Sequence, residues 1–101
     1  MQVFDLKKIE PEEKAQVLYK VGEFNARIIN LPTNGQIPPC EMDSYVFFYV
    51  INGEIEVSVD GETETLDEQK FLITEPATLS MKTDNGAKIL GIQIAENNNN
   101  K

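Results

Sequence analysis

The sequence predicts an all-β fold, a sandwich or barrel built from short strands. Three observations carry that expectation. Segments rich in β-branched and aromatic residues recur from Gln16 onward. Turn dipeptides, Asn52-Gly53, Asp60-Gly61 and Asn85-Gly86, fall among them, with turn signals about every 8 to 12 residues. Within one segment Ile55, Val57 and Val59 alternate with Glu54, Glu56 and Ser58, the period-two pattern of a strand with one wet face.

Taken in order, the chain opens with QVFDL and an acidic stretch, IEPEEKAQ, compatible with a single helical turn starting near Pro11. Its apolar content is too small for a core helix. QVLYKV and EFNARIINL, separated by Gly22, read as two strands of a hairpin. LPTNGQIPP, residues 31–39, carries three prolines and an Asn-Gly pair and is expected to be a loop. SYVFFYVI follows as a strand, turned at Asn52-Gly53 into EIEVSV. Asp60-Gly61 supplies the positive φ angles of a two-residue hairpin returning through ETETL. FLIT and TLSMKT are joined through Glu75-Pro76, and Asn85-Gly86 turns the chain into AKILGIQIA. The expected organisation is an amino-terminal segment over 1–15 that adds to a barrel or a dimer, the barrel itself over 16–95, and a disordered polar tail, ENNNNK, over 96–101.

Composition excludes several functions. At 101 residues, 41% hydrophobic and 26% charged, the chain supports one core. It shows neither a membrane-length apolar run nor the pattern of a secretory signal, so a cytoplasmic protein is expected. A net charge of -8 repels a phosphate backbone, and nucleic acid is not an expected partner. The chain has no histidine, which removes Ser-His-Asp and Cys-His nucleophile systems and the imidazole ligands favoured by zinc, iron and copper. The single cysteine, Cys40, forms no intrachain disulfide.

The order of these pieces resembles the small single-domain cupins of the conserved-barrel type. A loop with glycine and IPP, a strand ending FYVINGEIEV, a DG hairpin and a final ILGIQI carry the likeness, from about Gln16 to Ile94. It implies a double-stranded β-helix, the cupin jelly-roll barrel. It also implies a metal centre of three histidines and a glutamate, whose positions fall at Cys40, Met42, Val46 and Met81. Gly35, Gly53 and Asn85 match the family motifs, whereas Lys70 and Thr78 stand where glycines are usual. No metal and no cofactor are therefore expected.

Alternation places Cys40, Met42, Ser44, Val46, Phe48 and Val50 on one strand face, and Glu41, Asp43, Tyr45, Phe47 and Tyr49 on the other. Three readings of the first face follow. Cys40, Met42, Val46 and Met81 pack together as a metal-free core. Alternatively the interior, with Phe48, stays open for a small molecule fixed near its mouth by Cys40, Ser44, Tyr45 or Asn85. A third reading makes Cys40, Met42 and Met81 a soft-metal site suited to Cu(I). An unusual enzyme would rest on Cys40 as the only evident nucleophile, set among acidic neighbours. The acids Glu41 and Asp43 read as solvated strand-start charges. Tyr45, Phe47 and Tyr49 form an outward aromatic stripe that marks a homodimer contact, unless another layer covers it. Non-catalytic small-molecule binding, or a structural or regulatory role, is the expected function.

Overall fold

The protein, seen in a computed structural model, is described over residues 1–10 and 15–94. Nine strands follow one another: β1 (Ala15–Lys20), β2 (Phe24–Leu31), β3 (Gln36–Met42), β4 (Tyr45–Gly53), β5 (Ile55–Val59), β6 (Glu62–Leu66), β7 (Phe71–Thr74), β8 (Ala77–Lys82) and β9 (Ala87–Ile94). They form a five-stranded sheet in the order β1-β2-β9-β4-β7 and a four-stranded sheet in the order β3-β8-β5-β6, antiparallel at every pairing. The helical turn expected near Pro11 and the tail over 96–101 lie outside the described residues.

Side chains from both sheets meet between the layers. Ile29, Val50 and Ile89 come from the larger sheet, and Ile55, Val57 and Met81 from the smaller, all between 0% and 5% exposed. Each such burial contributes about 1.5–3 kcal/mol. The alternation read from β4 holds: Val46 and Val50 are buried inward, whereas Tyr45 is exposed on the outer face. β1 and β2 form the expected hairpin, with a register shift between Val17 and Tyr19.

The turn chemistry is resolved into two kinds. Asp60 and Gly61 both have positive φ (50° and 87°) and link β5 to β6 by a two-residue hairpin. Asp60 also accepts the Thr78 N–H at Oδ1, 2.9 Å away, which ties the turn to β8. Asn52-Gly53, Glu75-Pro76 and Asn85-Gly86 instead carry the chain from one sheet to the other. At the first and last of these corners the Thr83 hydroxyl, in a residue 5% exposed, donates to the Glu54 carbonyl at 2.7 Å and accepts the Gly86 N–H at 3.1 Å.

One expectation is corrected. The stretch expected as a loop through Pro39 enters β3 at Gln36 and carries both Pro38 and Pro39 within the strand. Two conditions permit this. β3 is an edge strand, so one side needs no partner, and its register with β8 shifts between Ile37 and Cys40, where the missing N–H groups fall.

Over the outer face, the Lys88 ammonium donates to the Leu6 carbonyl at 2.6 Å and pairs with Glu10 at 3.7 Å. These contacts anchor the amino-terminal segment at the end of the sheet where Asn30, Lys88 and Asn52 align in register.

Candidate functional site

Between the sheets, toward the end away from the Thr83 corner, lies a cavity of about 180 Å³. Cys40, Met42, Val46, Phe48 and Met81 all line it, so five of the seven interior candidates come together. The shift at the prolines explains how. Ile37 pairs with Met81 and Cys40 with Leu79, so an odd and an even position of β3 both line the cavity. A uniform strand would have sent one of them outward.

The remaining two candidates do not line it. Asn85 is exposed at the sheet-to-sheet corner, beside Asp84 and Glu54. Ser44 is 4% exposed, and its Oγ has no hydrogen-bond partner among the described residues. Tyr45, offered as a polar group at the mouth, faces the opposite side of the sheet from Val46.

The packed-core reading holds for Val46 and Met81, 2% and 4% exposed, but not for the whole set. Cys40 is exposed and Met42 half-buried, so the cavity opens beside the thiol. A soft-metal cluster also fits the register poorly. Met42 pairs with Ala77 and Met81 with Ile37, which sets their backbone positions four residues apart along β8, about 13 Å at strand rise. The histidine and glutamate centre implied by the resemblance does not fit either, since Val46 offers only hydrocarbon and Met42 and Met81 only thioether sulfur. Among the described residues, no group of three or more Cys, Asp or Glu side chains is placed to hold a metal ion.

Further residues, not among the sequence candidates, also line the cavity. Arg27 enters from β2, Gly91 and Gln93 from β9, and Leu79 and Ser80 from β8. Arg27, Gly91 and Phe48 are register partners across three adjacent strands. A side chain at Gly91 would place its Cβ 3.2 Å from the Phe48 ring and 3.5 Å from Ile29, so the glycine makes room for that ring. The signal for Arg27 was its parity with Ile29 and Leu31 on one face of β2. The other face, with Phe24, Ala26 and Ile28, is as apolar, and alternation alone did not say which turned inward.

The stripe Tyr45, Phe47 and Tyr49 lies on the outer face and continues in rows over all five strands, although Ile28 in the third row is 0% exposed and that part of the face is covered. Its rows run Phe24–Ile94–Tyr45, Tyr19–Ala26–Ile92–Phe47–Ile73 and Gln16–Ile28–Leu90–Tyr49–Phe71. Phe47 stacks on Phe71 at a centroid distance of 4.9 Å, and Ile73 remains 61% exposed. None of these positions carries a charge.

Solved structures of cupins match this architecture closely. The cupin domain of Schizosaccharomyces pombe Cnp3 superposes with a TM-score of 0.83 at 17% identity, over 93% of this chain and 74% of that one. A cupin superfamily protein from Desulfitobacterium hafniense gives 0.81 at 14% identity over 90% and 87%, and an RmlC-like cupin from Shewanella frigidimarina 0.78 at 18% over 93% and 88%. The chain therefore has the cupin fold, the double-stranded β-helix that the resemblance implied. No protein-family model matches the sequence, and no curated protein does. No helix among the described residues is long and apolar enough to cross a membrane.

Proposed function

We propose that the protein binds a small molecule in the barrel cavity and does so without metal chemistry, in a non-catalytic role in the cytoplasm. The observation that carries this reading is the cavity itself, about 180 Å³, walled mainly by hydrocarbon and sulfur and open beside Cys40. An apolar cavity of about 150 Å³ is enough to hold benzene. Titrating the protein with benzene and following methyl resonances tests the reading. Shifts confined to methyl groups of the lining, among them Ile29, Val46, Leu79 and Met81, are expected, and a spectrum unchanged at millimolar benzene would refute it.

The same reading includes a homodimer joined through the outer face of the larger sheet. The exposed members of the charge-free rows, Phe24, Tyr45, Phe71, Ile73 and Ile94, support it, because monomers seldom leave a contiguous apolar patch in water. Its lack of charge also suits a second copy of a chain carrying -8, whose approach elsewhere is repelled.

A further inference from the structure

We propose that the cavity takes a small carboxylate with an apolar body, one ring or a short branched chain, and that Arg27 recognises its carboxylate. The inference rests on the cavity being a binding site and assigns the class of ligand it holds.

Arg27 is a guanidinium among the cavity's hydrocarbon and sulfur, and its pairing is incomplete. Nη2 donates to the Asn25 Oδ1 at 3.3 Å, a neutral acceptor two residues away. Among the described residues no carboxylate lies within 4.0 Å of it, although the chain has 17 Asp and Glu against 9 Lys and Arg. Lys70, Lys82 and Lys88 each have an acidic partner at 3.3 to 3.7 Å. An arginine has five N–H donors in a planar fork that meets both oxygens of a carboxylate. The remaining donors are thus available to an anion arriving in the cavity, where a lysine would offer only a point charge.

The row through Arg27 has the shape such a ligand needs. Gly91 stands between Arg27 and Phe48 in register and presents no side chain, so a cation, a gap and an aromatic wall follow one another across three strands. Gln93, one row away, adds an amide to the same lining. Size limits the body. The cavity of about 180 Å³ falls below the roughly 300 Å³ at which sites for drug-sized molecules begin, so it admits one ring or four to six carbons.

Benzoate and benzamide, alike in shape and different in charge, provide the test when each is titrated into the full chain and followed by two-dimensional NMR. Benzoate is expected to bind at least about tenfold more tightly. Arg27→Met should abolish that preference, benzoate losing far more affinity than benzamide, and Arg27→Lys, which keeps the charge without the fork, should retain only part of it. Equal affinities in the unmodified protein, or a preference that survives in Arg27→Met or undiminished in Arg27→Lys, would overturn the carboxylate assignment. If benzene binds and benzoate does not, the assignment fails and the cavity stands as a site. If benzene also fails, both fall.

Discussion

Gly53 and Gly86, one at each of two sheet-to-sheet corners, lie so close that a side chain on the first would collide with the carbonyl oxygen of the second. The same added Cβ would stand 2.8 Å from the Ala87 Cα, so only backbone movement could relieve it. Gly61 has nearly the same φ, +87° against +89°, with nothing within 4 Å. The pair separates strain from collision. Gly61→Ala is expected to cost about 1 kcal/mol, the penalty for left-handed backbone alone. Gly53→Ala should cost about 3 kcal/mol or more. Urea denaturation of both variants checks the difference.

Thr83 holds those corners through one hydroxyl that both donates and accepts. Thr83→Val keeps the shape and removes both bonds, stranding the Glu54 carbonyl and the Gly86 N–H. A loss of about 1–3 kcal/mol is expected, with Thr83→Ser recovering most of it, measured as shifts in the denaturation midpoint.

Ser44 is the opposite case. Its buried Oγ has no partner among the described residues, so the hydroxyl bears a desolvation cost without a compensating bond. Ser44→Ala is expected to leave stability unchanged or raise it by up to about 1 kcal/mol. A marked loss on thermal unfolding would show that the hydroxyl is paired.

For the outer face, sedimentation of the unmodified chain should show a dimer, and Ile73→Glu, at a position 61% exposed in one subunit, should shift it to monomer while the folded spectrum is retained. A monomer at the outset would remove the dimer from the proposed function.

Cys40 gives a direct readout of the cavity mouth. Native protein is expected to react with iodoacetamide at a rate near that of an exposed cysteine, because the residue is exposed. A molecule seated in the cavity should slow labelling, whereas a thiol inert until unfolding would restore the closed-core reading.

Much of the fold was legible because the relevant physics is local. Asp60-Gly61 can be read as a hairpin from two residues, and the period-two run Ile55, Val57, Val59 tells which side of β5 is buried. Position at an edge is not local. Pro38 and Pro39 read as loop residues, and only the topology shows that β3 has a free side and a register shift to accommodate them. The site was legible in the same measure. Parity along β4 placed Val46 and Phe48 at the cavity, but Arg27 belongs to a strand with two apolar faces. Which face turned inward depended on pairing with β9, a relation between residues some 64 positions apart.

The two prolines also affect how the chain behaves in company. Among the described residues a sheet has two open borders, and two sheets give four: β1, β7, β3 and β6. Each border is blunted differently. β3 lacks two N–H groups, β6 presents Glu62 and Glu64, β7 is only four residues long, and β1 is kinked between Val17 and Tyr19. Strand-by-strand pairing with another chain is thereby disfavoured at each of these borders, so the apolar outer face is expected to meet a partner face to face rather than edge to edge.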